Sequence, residues 1–451
     1  MAEDELQTLL RKPILYAEPG ALAELADRGV DASPSNAPDV ITGNPAAENV
    51  LPGIGLAGRL LHIPESTGLR LGGLWLADTN GLLSGGDQTG KWSWNSALII
   101  GANLDAEKLI AWKGASFGVQ FLQFNGHDTN GQAGSVQGYN SLPGAPPLDR
   151  SELFQLWYRQ ALFNDKLIFR IGKLVPTYDF NNVARPVPTH DETLDIPAVT
   201  GLLYTPVFVN PTLLGAIGGY YNSVYGFTVT LAPTKSSYLN YGLYDGNVAN
   251  NVQTGLTGAH FNGYSFNILE TGVDWVAAGK YPGQFGVGGW YQTGQLHGHR
   301  RISRDGTGGF YFFGGQRIWA SCVEPPIQDG KGEALIPTGP GGHHASISAF
   351  VQIGVNNAET LPVKDYFGTG LSGFGLVPSR PDDSIGVGMA WSWLNPNLFN
   401  RPSELMFQGY YQAHLYGGVF FEPAISYIPT PGGNSSFGSA WALTFRFTFL
   451  F

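Results

Sequence analysis

Ala440-Trp-Ala-Leu-Thr-Phe-Arg-Phe-Thr-Phe-Leu-Phe451 is a stretch whose two parities carry different chemistry. Trp441, Leu443, Phe445, Phe447, Phe449 and Phe451 alternate with Ala442, Thr444, Arg446, Thr448 and Leu450. Successive side chains leave opposite faces of a pleated strand, so a period of two predicts a β-strand here. One face is aromatic, and the other carries hydroxyls and a cation. The aromatic face needs an apolar cover, which is either a protein core, as in a soluble sandwich, or lipid.

Composition separates these two covers. Charged residues make up 13% of the 451 positions, against roughly 25% in typical soluble domains, and there are 63 glycines. No run of about 18 apolar residues occurs, which excludes a transmembrane helix. A chain poor in charge whose mean hydropathy is nevertheless close to zero fits a barrel with polar residues inside and an apolar face toward lipid. In that setting the stretch ending at Phe451 resembles the closing strand of bacterial outer-membrane barrels, the strand presented to the barrel-assembly machinery.

The net charge of −10 argues against nucleic acid as a partner, because no basic patch is present to neutralise phosphates. A single cysteine, Cys322, excludes an intrachain disulfide. His343-His344 and His297-Gly-His299 lie in glycine-rich tracts without the spacing of a rigid metal site, so no metal or cofactor is expected. There is no G-x-S-x-G elbow, phosphate loop or H-E-x-x-H, and the expectation is that the protein is not an enzyme. Met1-Ala-Glu-Asp-Glu has neither the basic start nor the apolar core of a signal peptide, so the sequence reads as a mature, exported form.

Two regions follow from the pattern. Residues 1–66 read as a helical and linker segment, a periplasmic cap or a partial plug. Leu6, Leu9 and Leu10 have helical spacing, Ala21–Arg28 is a short amphipathic helix ended by Gly29, Ala32–Pro38 is a linker, and Leu56–His62 is a second short helix. Residues 67–451 alternate strand and turn, with sixteen clear strand segments from 67–78 to 438–451 and a weaker seventeenth at 212–220. Single-chain bacterial barrels have an even number of strands, so sixteen is the expected count, all antiparallel. Phe163-Asn-Asp165 and Tyr416-Gly417 predict tight turns at one rim, whereas 126–150, 176–211 and 429–437 predict longer loops at the other. The longest, Pro176–Pro211, carries Asp179, Arg185, His190, Asp191, Glu192 and Asp195, and is expected to fold inward as a constriction.

Four stretches match a family pattern, and they occur in the family's order. Gly101-Ala-Asn-Leu-Asp-Ala-Glu-Lys-Leu-Ile-Ala-Trp-Lys-Gly114 is the first, and Leu156-Trp-Tyr-Arg-Gln160 with Phe163-Asn-Asp-Lys-Leu-Ile-Phe-Arg-Ile-Gly-Lys-Leu174 is the second. The third is Gly373-Phe-Gly-Leu-Val-Pro-Ser-Arg-Pro-Asp-Asp-Ser-Ile-Gly386, and the fourth runs from Glu404 through Glu422-Pro-Ala-Ile-Ser-Tyr427 to Gly433. Together they resemble the carbohydrate-selective porins, the OprB-like family. The resemblance implies a sixteen-stranded channel in the outer membrane of a Gram-negative bacterium. It also implies passage of glucose and related mono- or oligosaccharides by facilitated diffusion, without covalent chemistry. Residues 1–50, His190-Asp-Glu192 and the 322–344 insertion depart from the pattern. The alternatives are a porin for other small solutes or general diffusion, and a soluble all-β carbohydrate-binding protein.

Parity assigns faces independently of the family. A charge on the lipid face near the midplane costs roughly 2–4 kcal/mol, which places charged residues inward. Phe154, Leu156 and Tyr158 are expected outward, with Gln155, Trp157 and Arg159 in the lumen. Arg70, Asp78, Arg170, Glu404, Gln408, Tyr410, Glu422 and Arg446 are expected to line the pore, joined by Asp191 and Glu192 if their loop turns in. Arg and Glu forks can hydrogen-bond vicinal hydroxyls, and Trp157 can stack on a pyranose. The alternative is that these charges pair with one another and hold the lumen open. Lys173 has outward parity at a strand end. The expected partners are sugars as transported solutes, outer-membrane lipid, the assembly machinery at Phe451, and other copies of the chain if it is a homo-oligomer.

Overall fold

The computed structural model describes residues 55–146, 148–181, 201–216, 222–234, 236–246, 259, 261, 264–278, 281–297, 303–321, 327–328, 334–335 and 345–451. Sixteen antiparallel strands close into one barrel. They are β1 Leu69–Ser84, β2 Trp92–Asp105, β3 Ala115–Gly126, β4 Arg150–Leu162, β5 Leu167–Leu174, β6 Val224–Thr234, β7 Ser237–Asp245 and β8 Ser265–Ala277. The second half consists of β9 Tyr281–His297, β10 Ser303–Ala320, β11 Ser346–Asn356, β12 Val363–Phe374, β13 Ser384–Leu394, β14 Ser403–Tyr416, β15 Val419–Ile428 and β16 Ala440–Leu450. Each strand pairs with its sequence neighbours, and β16 returns to β1. No helix among the described residues is long and apolar enough to cross a membrane.

The sixteen clear segments of the sequence are these sixteen strands. The seventeenth, 212–220, is not a strand in its described part. Pro211 has no N–H for a ladder, and the Asn210 side chain accepts from Thr212 N at 3.2 Å, which sets a short 3-10 turn over Pro211–Leu213. A two-residue pair, Ile327–Gln328 with Ala334–Leu335, lies apart from the barrel, and a short helix, Leu56–Leu60, packs beside β1.

β16 shows why the barrel forms. Ala440, Ala442, Thr444, Arg446, Thr448 and Leu450 are buried inside, while Trp441 and Phe447 are exposed outside with Leu443, Phe445 and Phe449 half-buried beside them. Outward rings meet across strands: Phe421 stacks on Phe445 at 6.0 Å and Tyr427 on Trp441 at 4.5 Å. Closure runs in register through Asp78 opposite Arg446, and Phe451 N and O both bond to Gly73 at 2.9 and 2.7 Å.

One rim carries the short turns. Between β4 and β5, Phe163, Asn164 and Asp165 all have left-handed φ of 58°, 56° and 61°, a conformation that Asn and Asp tolerate best. The connections of 127–149, 175–223 and 429–439 all leave the opposite rim. The link from Ala320 to Ser346, which contains the 322–344 segment set apart in the sequence, joins strands at the short-turn rim.

Alternation fails at two places on β4 and β5, and the reasons are local. The register shifts between Gln120 and Phe121, so Phe154 is an extra residue in a bulge. Phe154 therefore faces inward, fully buried and edge-on to Tyr178, in contrast to the outward position that parity predicts. At Gly172 φ is 145°, and a Cβ there would meet Leu156 O at 2.1 Å. The strand twists at this glycine and turns Lys173 inside, where Nζ donates to Leu153 O at 2.6 Å and lies 3.4 Å from Glu152 Oε2.

Candidate functional site

The barrel interior is where the inward side chains and two incoming loops meet. The first loop, 127–149, is held by three sets of contacts. Glu404 is fully buried and accepts from Ser135 Oγ at 2.6 Å, Val136 N at 2.8 Å, Gln137 N at 3.2 Å and Gly432 N at 2.6 Å. Asp78 and Arg446 form a bidentate pair, both bonds 2.7 Å, and Asn140 Nδ2 adds a third bond to Asp78 at 2.7 Å. Ser141 Oγ accepts from Arg446 Nη2 at 3.2 Å. Gln408 donates to Tyr139 O at 3.0 Å and accepts from Leu203 N at 2.6 Å, so it touches both loops.

The second loop enters as two legs. On the first, 175–181, Asp179 accepts from Arg170 Nη1 at 2.5 Å and from Tyr244 Oη at 3.2 Å, and Asn240 Nδ2 donates to Asp179 O. Asn181 N donates to Glu270 at 2.6 Å, and Glu270 also accepts from Tyr238 Oη at 2.8 Å and Tyr311 Oη at 2.6 Å. The other leg, 201–216, packs Leu202, Leu203, Tyr204, Val207, Phe208 and Val209 into the interior. A Cβ on Gly388 of β13 would meet Leu202 and Tyr204, and one on Gly201 would meet Tyr410. Burial raises the Tyr204 phenol above its ordinary range, and Tyr139 in the first loop is raised by burial and then by the Asp78 charge.

Most of the residues singled out by parity fall into three groups. Asp78, Glu404, Gln408 and Arg446 bind loop backbone or loop side chains, as above. Gln155, Trp157, Arg159 and Arg170 are adjacent on β4 and β5. Gln155 bridges Gln120 at 2.6 Å and Arg170 at 2.8 Å, and the Arg170 guanidinium lies 5.0 Å from the Trp157 ring centroid. Arg159 sits opposite Arg170 in register. Tyr410 and Glu422 are buried toward the short-turn end, where Glu422 accepts from Gln412 at 2.9 Å and lies opposite Arg446. Arg70 is half-buried in β1, in register with Asn103. Asp191 and Glu192 lie outside the described residues.

Sequence reasoning missed Glu270, Tyr238, Tyr244 and Tyr311, which receive the first leg of the second loop. The available signal was Glu270 itself, a carboxylate on the inward parity of β8 between Leu269 and Thr271. Its partners come from β7, β10 and a distant loop, and no spacing rule joins those.

A closed sixteen-stranded barrel with an aromatic exterior, a polar interior and loops folded into the lumen defines a porin. The chain matches the family described as carbohydrate-selective porin, OprB family, over residues 96–311 and 332–451, and it belongs to that family. It is an outer-membrane channel for sugars. It is similar to Porin B of Pseudomonas aeruginosa PAO1, 23% identical over 399 residues that span 77% of this chain and 79% of the relative. Among solved structures it resembles the high-pH structure of Pseudomonas putida OprB, with a TM-score of 0.72 and 17% identity, covering 88% of this chain and 97% of that one. The low-pH structure of the same protein aligns with a TM-score of 0.55 and 16% identity, over 88% of this chain and 96% of the other.

Proposed function

We propose that a sugar crossing this channel is held at Trp157 and Arg170, on the β4–β5 wall beside the first leg of the 175–216 connection. The observation that carries this reading is the guanidinium 5.0 Å from the Trp157 centroid, with Gln155 bonded to the same guanidinium. A flat aromatic ring offers a surface to the apolar face of a pyranose, and Arg170 and Gln155 offer donors to its hydroxyls. Asp179 holds Arg170 in place, so the fork is oriented before the solute arrives. Passage is passive, with binding weak enough to release. No covalent step takes part.

In this reading the 175–216 connection is the constriction, and Asp78, Glu404, Gln408 and Arg446 shape the passage by holding loops rather than by touching solute. Arg70, Tyr410 and Glu422 line the exit toward the short-turn rim. β16 and Phe451 present the assembly signal, and residues 1–54, expected with 55–66 to form a periplasmic cap or partial plug, lie outside the described residues. Whether copies associate is read by cross-linking in the membrane.

Liposome swelling tests the assignment. Glucose is expected to enter faster than a non-sugar solute of equal size, and Trp157→Ala is expected to weaken glucose block of ion current. Equal entry of all solutes of one size would defeat sugar selectivity, and unchanged block in Trp157→Ala would move the site elsewhere.

A further inference from the structure

The inner face of β2, β3 and β4 holds three buried polar atoms with no hydrogen-bond partner among the described residues: Asn103 Nδ2, Ser116 Oγ and Arg159 Nη2. Asn103, Ser116 and Arg159 are 8%, 4% and 6% exposed. They are neighbours in the sheet. Ser116 lies opposite Arg159, and Asn103 lies opposite Gly118, two residues along β3 from Ser116. All three sit toward the short-turn end, below Trp157.

Each can donate a hydrogen bond, and one is a permanent cation. Asp165 in the β4–β5 turn attracts Arg159 through space without forming an ion pair with it, and the other acidic groups nearby are engaged elsewhere. Asp105 caps the helix Ala106–Ile110 through Glu107 N and Lys108 N, Glu152 pairs with Arg150 and Lys173, and Asp179 pairs with Arg170. No ion pair among the described residues includes Arg159, although Arg170 lies opposite it and adds a second positive charge. A buried guanidinium without a counter-ion in contact is costly, and a buried donor without an acceptor costs nearly what a lost hydrogen bond does. Water or a neutral hydroxyl supplies acceptors but no charge. An oxyanion supplies both.

We propose that Arg159, Ser116 and Asn103 form an oxyanion subsite near the inner end of the channel, taking the carboxylate of a sugar acid. This rests on the reading of the barrel as a sugar channel and narrows its substrate class to include acidic sugars. A neutral hexose passes the Trp157–Arg170 step and leaves, whereas an aldonate is additionally held by its carboxylate at Arg159. Arginine suits this role because its planar fork matches a carboxylate with two parallel bonds.

The test uses the full-length protein in planar bilayers, with glucose, gluconate and inorganic phosphate each titrated as blockers of single-channel current. Gluconate is expected to block at a concentration about tenfold below that of glucose, the factor expected from one added charge-assisted bond. Arg159→Gln should bring the gluconate-to-glucose ratio close to one, and Arg159→Lys should retain most of it. Block by phosphate that is tighter than by gluconate, and lost in Arg159→Gln, keeps the oxyanion site but assigns it to phosphate. Equal block by glucose, gluconate and phosphate in the unmodified channel overturns the proposal, as does a ratio that Arg159→Gln leaves unmoved. The unmodified channel alone decides the first point should the variants fail to assemble. Failure of the sugar reading looks different: glucose would then enter liposomes no faster than a non-sugar of its size, whatever the ratio of the blockers.

Discussion

Glu404 offers a test of what holds the 127–149 loop inside the barrel. Its carboxylate is met only by donors, the backbone N–H groups of Val136, Gln137 and Gly432 and the Ser135 hydroxyl. Glu404→Ala removes every acceptor and leaves the three N–H groups buried without partners, each costing about 1–3 kcal/mol until water reaches it. Two of these groups, Val136 N and Gln137 N, belong to the 127–149 loop, so even the low end of that range sums to about 2 kcal/mol and shifts the docking equilibrium of the loop by about thirtyfold. The barrel itself is held by its closed ladder of backbone bonds and should survive. Glu404→Gln is the sharper variant. One oxygen remains as an acceptor, but the new amide N–H₂ faces further donors, so an intermediate release is expected. Limited proteolysis of the folded barrel in detergent reads the open population directly when reclosing is faster than cleavage. Cleavage within 127–149 should accelerate in the order wild type, Gln, Ala, and single-channel conductance should rise in the same order. Cleavage at the wild-type rate in both variants, with the barrel intact, would refute the idea that this carboxylate holds the loop.

Three further outcomes follow from the geometry. Breaking the Asp78–Arg446 pair by Arg446→Leu should cost about 3–5 kcal/mol in denaturant unfolding, because it strands a carboxylate in a buried site. The double variant with Asp78→Leu should recover part of that loss, and an additive loss would count against a coupled pair. Phe445→Arg places a cation on the outer face midway along β16 and should cost roughly 2–4 kcal/mol, read as a smaller heat-modifiable folded fraction, and a normal fraction would mean that this face does not meet lipid. Tyr139 and Tyr204 are held above the ordinary phenol value of 10.0. A group whose folded pKa is raised contributes stability that is complete below its unfolded pKa and is lost as pH rises past it, so loop docking should be flat to about pH 10 and weaken above it. Absorbance titration of Tyr204→Phe against the parent should remove one late-titrating phenol, and titration at the ordinary value would contradict its burial.

The strands were legible because period two is a local property that needs no knowledge of partners. Ala440–Leu450 alternates without exception, and the breaks elsewhere have causes that cannot be read one strand at a time. Phe154 turns inward because β3 and β4 slip by one residue, a relation between two strands. Lys173 turns inward because Gly172, opposite Trp157 on the neighbouring strand, adopts a φ of 145°. Parity assigns Glu404, Gln408 and Arg446 to the inner face, and all three side chains are buried. It carried no information on what they would meet there, since Glu404 is bonded to backbone N–H groups more than 260 positions away along the chain as well as to nearby Gly432. Parity locates a lumen, whereas the loops that enter it decide which lumen residues are left for a solute.

The 175–216 connection is fastened at one leg to Tyr238, Glu270 and Tyr311 on β7, β8 and β10, and at the other to the β13–β14 wall through Leu202 and Leu203. A ring of sixteen strands is a thin hoop that ovalises easily under side load. Each described leg, bonded to its own arc of the hoop, braces that part of the wall from inside. Cutting either tie should make conductance depend on the thickness and packing of the host lipid.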